Sequence, residues 1–321
     1  MGSALLSRVA WTALQPSPRL SILIYHRVLS EPDPFRADDP DTRLFERHIT
    51  TIKRHCRILP LAEAIELLYA GRLPRGAVAI TFDDGYADNH ANALPILRRH
   101  QAHATFFIAT GFLNGGWMFN DRLIEAIRRT RREWLDGTDL ALGRLPIQAL
   151  EERVAAVRCV IRAVKHLAPE RRTELVERLV DQLGDPERGD SPMMTDRQVL
   201  ALHQAGMGIG AHTVTHPILH ALEEDTARWE LTHSRDRLEQ LLDAPVVLFA
   251  YPNGKPGADY SARETRLLVE SGFRAAACSA PGGAHRGRDR FQLPRYTPDR
   301  HKPALFLSQL MRCSREEAAA A

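Results

Sequence analysis

Short apolar runs separated by helix-length polar segments constrain this chain more than any other feature. Ser21–Tyr25 reads SILIY, Ala77–Phe82 reads AVAITF and Ala104–Ala109 reads ATFFIA. Runs of this length without polar interruption are buried on both faces, as strands of a parallel sheet are. Between them, Leu44–Arg54, Leu61–Ala70 and Asn89–Arg99 carry helical periodicity, the last despite Pro95, and Gly71 ends the second. After a long break the alternation resumes. Strands are predicted at Met207–Ala211, Val246–Tyr251, Ala275–Cys278 and Gln292–Arg295, and helices at Glu224–Leu242 and Ala262–Ser271. About seven strands with intervening helices define an α/β fold. Polar residues recur at the strand ends, which favours a closed or nearly closed (β/α) barrel with its chemistry at the C-terminal strand ends.

The break, about 121–195, is rich in Arg and Glu and helical in pattern. It is expected to be a helical insertion with a solvated charged face. Thr195 followed by Gln198 forms a capping-box signature where the alternation restarts. The expected organisation is an N-terminal segment 1–20, a barrel over 21–300 with this insertion, and a tail over 301–321.

Composition narrows the function classes. Of the 321 residues 44% are hydrophobic and 26% charged, as in ordinary globular chains, and the net charge of +3 is too mild to argue for nucleic acid. Cys56, Cys159, Cys278 and Cys313 are scattered without metal-binding spacing, which reads as free thiols in a reducing compartment. Arg8 interrupts the first apolar stretch and no small-residue cleavage site follows, so no secretory signal is recognised. A cytoplasmic location is the expectation, with the inner membrane face as the alternative within it. Residues 4–14, with Leu5, Leu6, Val9, Ala10, Ala13 and Leu14, offer one amphipathic face for docking on the protein's own body or for peripheral membrane contact.

Two motifs carry chemistry. Asp83 and Asp84 end the Ala77–Phe82 strand in TFDDGYADN, with Gly85 permitting a turn that brings both carboxylates to one cleft. His212 and His216 follow the apolar MGIGA in AHTVTHP. Two imidazoles and one carboxylate make three ligands for a divalent metal and leave coordination positions open, the arrangement of catalytic rather than structural sites. Zinc suits this set best; cobalt, nickel and iron suit it as well. The second carboxylate is then available as a base.

TFDDG followed by HTVTH resembles the first two motifs of the polysaccharide deacetylase (NodB-homology) family, and FAYPNG, Phe249 to Gly254, is similar to its third. The resemblance runs from about Ile22 to Pro298. It implies a distorted (β/α) barrel that removes acetyl groups from sugar polymers, acting on an acetylated amino-sugar polymer or oligosaccharide. Asp83 would be the general base and Asp84, His212 and His216 the metal ligands. Tyr251, Pro252, Asn253 and Gly254 would line the substrate groove, with the Asn253 N–H facing the oxyanion. Two departures matter. The family's usual arginine of the third motif is Ala250 here, for which Arg295 in QLPRY is the candidate substitute. A C-terminal Leu-x-His is absent, and His301 sits in a Pro-flanked loop. The early LIYHR instead resembles the branch acting on poly-N-acetylglucosamine, which implies His26 as general acid. Deacylation of another amide or ester, such as a formamide or an O-acetyl sugar, and a non-catalytic glycan-binding barrel remain the alternatives.

Overall fold

The structure, a computed structural model, describes residues 18–184, 189–298, 305–306 and 308–309. Residues 4–14, His301 and Cys313 lie outside them. The chain divides into two compact units: one formed by 1–32, 38–113 and 194–321, the other by 33–37 and 114–193.

The elements in chain order begin with β1 (Ser21–Tyr25), α1 (Thr42–His55), β2 (Arg57–Ile58), α2 (Leu61–Tyr69), β3 (Ala77–Phe82), α3 (Leu94–Arg99) and β4 (Thr105–Ile108). The second unit supplies α4 (Phe119–Arg129), β5 (Trp134–Asp136), β6 (Arg144–Pro146), α5 (Leu150–Val164) and α6 (Pro169–Gln182). The first unit resumes with α7 (Asp196–Gln204), β7 (Gly208–Ala211), α8 (Glu224–Leu242), β8 (Leu248–Ala250), α9 (Ala262–Glu270) and β9 (Ala275–Ala277).

Seven strands form one parallel sheet in the order β1-β3-β4-β7-β8-β9, with β2 paired to the start of β3. The sheet curls into the distorted barrel expected from the alternation, although its membership differs. The two-residue β2 is a strand, whereas Gln292–Arg295 is not. Leu293 makes an isolated bridge to Ala277 of β9, and Tyr296 makes another to Leu23 of β1. Pro294 between them has no N–H to give a ladder. These two bridges tie the sheet's outer strands together.

Side-chain alternation separates two apolar layers. Leu23, Tyr25, Ile80, Phe82, Phe106, Phe249 and Tyr251 face the surrounding helices, where Phe45, Ile49, Leu202, Leu231 and Leu267 meet them. Ile22, Ala79, Phe107, Leu248, Ala250 and Leu293 face inward with Leu61, Ala64, Ile65 and Leu68 of α2. The inward face is built from small residues where it is tightest: a Cβ on Gly210 would sit 2.5 Å from the Phe107 ring.

Local chemistry explains the helix ends. Asp41 caps α1 through Leu44 N, and Thr195 with Gln198 forms the capping box of α7. The segment expected as a single helix over 89–99 is a π-helical turn, Asn89–Ala93, followed by α3. Pro95 explains the split, since it has no N–H to give and its ring crowds the carbonyl four residues back.

The second unit has its own core, made by Leu123, Ile127, Val157, Val160, Val176 and Leu179 of α4, α5 and α6. It is less purely helical than its sequence suggests, because β5 and β6 pair as an antiparallel hairpin with Arg144 stacked 3.7 Å from the Trp134 ring centroid. Nor are its charges all solvated. Asp121 is fully buried and holds Arg36 at 2.6 Å, and Asp33 accepts from Arg128 at 2.5 Å. Among the described residues no helix is long and apolar enough to cross a membrane.

Gly210→Ala forces a methyl group against Phe107 inside a packed layer. It is expected to destabilise the protein by about 1–3 kcal/mol, the usual cost of overpacking, measured by denaturant unfolding.

Candidate active site

The last hydrogen bond between β1 and β3 brings the first carboxylate into place. Asp83 N donates to Tyr25 O, so Asp83 keeps the strand's alternation and points inward with Thr81. Asp84 then leaves the strand in the left-handed region, φ 75°, and Gly85 follows at 95°. This reversal is what lets two consecutive carboxylates face one cleft. Ala109 N, just after β4, donates to Asp84 O and fixes the turn.

His212 and His216 come from the loop that follows β7. His212 is buried, and its Nδ1 lies 2.7 Å from Ala250 O. A carbonyl only accepts, so Nδ1 carries the proton and Nε2 presents its lone pair. Nε2 of His212 and Nε2 of His216 each lie 3.4 Å from Asp84 Oδ1. One ligand atom from each of the three residues falls within 4.8 Å of the others. Asp84 Oδ1 is buried and accepts no hydrogen bond, an expensive state for a carboxylate oxygen. Three lone-pair donors converging without a proton between them fit a divalent cation.

The electrostatics of Asp84 and His216 agree with that fit. Burial opposes the charge on Asp84, but the neighbouring His212, His216 and His26 outweigh it and hold the carboxyl well below its usual range. Burial pushes His216 down to about 4, leaving its imidazole neutral and its lone pair free to coordinate. Burial also opposes charge on His212, yet Asp83 and Asp84 together raise it.

The loop carrying the two histidines is strained and pinned. Thr213 and His216 are left-handed at φ 66° and 55°. The Thr213 and Val214 carbonyls accept from Thr110 N and Gly111 N after β4, at 3.1 and 2.9 Å. A Cβ on Gly111 would lie 2.7 Å from Val214 O, so only glycine permits this approach. On the other side, Val214 N and Thr215 N donate to Glu230 Oε2 of α8 at 2.7 and 2.9 Å.

Asp83 meets Arg295 in a two-pronged pair. Nη1 and Nη2 each reach a different Asp83 oxygen at 2.7 Å, Nη1 also donates to Thr81 Oγ1, and Nε donates to Cys278 O. Both groups are almost wholly buried. Burial opposes the charge on Asp83, but Arg295 overcomes it and keeps the carboxyl below its ordinary range.

His26 is the first residue after β1 and is half-buried. Its carbonyl accepts from Asn89 Nδ2 at 2.9 Å, and Asp88 takes Arg27 Nε at 2.7 Å and Val28 N at 3.2 Å. It lies near enough to Asp83, Asp84 and His216 to act on them electrostatically. The third motif departs from expectation at Tyr251. Its side chain is 1% exposed, stacks 3.7 Å from Tyr260 and donates to Phe291 O, so it packs in the helix-facing layer and does not line a groove. Pro252 and Gly254 are buried as well, while Asn253 is half-buried and left-handed at φ 59°. Among the described residues nothing accepts from the Asn253 N–H.

The polysaccharide deacetylase domain family matches residues 70–133 and 174–276, half of the chain and all three of its motifs. The chain belongs to the polysaccharide deacetylase family. A putative polysaccharide deacetylase of Bacillus subtilis, YxkH, is 20% identical over 288 residues, which cover 89% of this chain and 74% of that protein. The Streptococcus pyogenes deacetylase PplD, solved in complex with acetate, superposes with a TM-score of 0.62 at 20% identity, covering 92% of this chain and 99% of PplD. IcaB from Ammonifex degensii superposes at 0.59 with 19% identity, covering 94% and 98% of the two chains. The two superpositions carry the likeness of the fold.

Within this family frame, several positioning groups escape a reading of sequence alone. Asp88 and Asn89 continue the first motif and anchor the His26 loop, and Asn92 adds a bond to Val28 O at 2.7 Å. The signal available was the π-helical turn's polar face, Asn89 and Asn92 three residues apart. Thr110, Gly111 and Glu230 carried none, because only the tertiary fold sets them against the histidine loop.

Removing one partner of a buried ion pair leaves the other charge uncompensated. Arg295→Met is expected to cost about 3–5 kcal/mol of stability in urea unfolding, and adding Asp83→Asn to it is expected to restore part of that loss.

Proposed function

We propose that this polysaccharide deacetylase is a metal-dependent hydrolase that removes N-acetyl groups from an amino-sugar polymer or from its oligosaccharide or lipid-linked precursor. The observation that carries this reading is the juxtaposition of two adjacent carboxylates in different company. Asp84 joins His212 and His216 around an unsatisfied oxygen, while Asp83 is held ionised by Arg295.

In this reading Asp84, His212 and His216 hold a divalent metal, zinc before cobalt, nickel or iron. When bound, the metal polarises the acetamide carbonyl and makes a water molecule more acidic. Asp83 accepts the proton of the attacking water. Its two oxygens are oriented by Arg295 and still carry free lone pairs for this task. The charge that develops on the carbonyl oxygen is met by the Asn253 N–H. His26 donates a proton to the departing nitrogen as the C–N bond breaks, giving an amine and acetate. In the third motif this mechanism draws on backbone only, in keeping with the buried Tyr251 side chain.

Asp83→Asn is expected to lower the rate of acetate release by about 10²–10⁴-fold while zinc content stays at the wild-type level. Asp84→Ala and His212→Ala are expected to lose the metal together with activity. Near-normal turnover by Asp83→Asn on an N-acetylglucosamine oligomer would sink the assignment of the base. A panel that adds an O-acetylated sugar and a formamide checks the acyl group, and faster turnover of either would move the substrate away from N-acetyl.

A further inference from the structure

The buried carboxylate of Glu230 has a task that no step of the proposed mechanism uses. It projects from α8 and is 4% exposed. Its Oε2 accepts from Val214 N and Thr215 N at 2.7 and 2.9 Å, and its Oε1 accepts from Thr215 Oγ1 at 2.5 Å. These are the donors of the loop between His212 and His216.

A buried carboxylate is costly unless its lone pairs are used. Here three donors use them, and all three belong to one two-residue stretch. That stretch is not in a comfortable backbone state. It lies between the left-handed Thr213 and His216, neither of which is glycine. β-Branched Thr213 in that region is strained, so something must hold it there. Thr213 Oγ1 does part of this by accepting from His216 N at 3.1 Å. The carbonyl edge is held by Thr110 N and Gly111 N, and the N–H edge by Glu230.

We propose that Glu230 is a positioning residue for the metal site, clamping the Val214–Thr215 turn so that His212 and His216 present their Nε2 atoms to the same point as Asp84 Oδ1. The inference rests on the metal reading of the site. It concerns affinity and ligand geometry, because Glu230 touches neither ligand ring. Outer groups that orient metal ligands typically govern affinity by about 10–100-fold. Glutamine at this position keeps one acceptor oxygen for the two N–H groups, and its NH₂ can donate to the Thr215 hydroxyl. Alanine keeps nothing.

The test compares the wild type, Glu230→Gln and Glu230→Ala in the full chain. Zn²⁺ affinity is read by competition with a chromophoric chelator, the Co²⁺-substituted proteins are read by their visible ligand-field spectra, and melting is followed in the metal-free state. Glu230→Ala is expected to bind Zn²⁺ about 10–100-fold more weakly with an altered Co²⁺ spectrum, and Glu230→Gln to fall between it and the wild type. If the alanine variant does not fold, the glutamine variant decides, with a several-fold loss of Zn²⁺ affinity expected. Wild-type Zn²⁺ affinity and an unchanged Co²⁺ spectrum in the folded variants, with only melting lowered, would overturn the proposal and leave Glu230 as a fold-stabilising residue. Failure of the wild type itself to bind Zn²⁺ would overturn the metal reading, and this inference with it.

Discussion

A guanidinium and a carboxylate buried together at 2.7 Å tie the segment after β9 to the third strand. Arg295 lies between the bridges that Leu293 and Tyr296 make to β9 and β1, and its side chain crosses the interior to Asp83 and Thr81. The pair therefore does two things at once. It satisfies the polar atoms that the closing segment brings inward, and it keeps Asp83 charged in a place where burial alone would neutralise it. Such a pair is weak evidence for stability in itself, since apolar replacements are often as stable. Its value lies in fixing one carboxylate as an anion beside a second with a different role.

The second carboxylate depends on backbone that most sequences avoid. Asp84, Thr213, His216 and Asn253 are all left-handed, and they stand at the ends of β3, β7 and β8. Strain gathered at strand ends marks positions where side-chain direction matters more than comfort. The cost is met by backbone bonds from the turn after β4 and by Glu230. Gly111 lets the turn after β4 come this close, since a Cβ there would meet Val214 O.

Much of this was legible in the residues, for reasons that differ by element. AVAITF spans β3 to the residue, and the helix over Glu224–Leu242 has the bounds of α8, because long apolar or periodic segments are governed by burial. QLPR looked like a strand and holds only the Leu293 bridge, since Pro294 cannot donate. The β5–β6 hairpin escaped because WLD and RLP are too short and too charged to show alternation. Tyr251 was expected in the groove through its motif. The period of two argued otherwise: Phe249 and Tyr251 share the helix-facing side, and Ala250 between them faces in. Arg295 was reachable by a different route, since a missing arginine at Ala250 asked where the partner of Asp83 would come from. Glu230 could not be reached at all, because its contacts cross 15 and 16 residues by way of a loop whose shape is set by tertiary packing.

On the proposed function, the chain hydrolyses an acetamide with a metal held by Asp84, His212 and His216. Acetate release from short N-acetylglucosamine oligomers, followed with the wild-type chain before chelation, after it, and after metal is returned, tests that claim most directly. Chelation is expected to abolish release, and stoichiometric zinc or cobalt to restore it. Undiminished release from protein stripped of metal would contradict the claim.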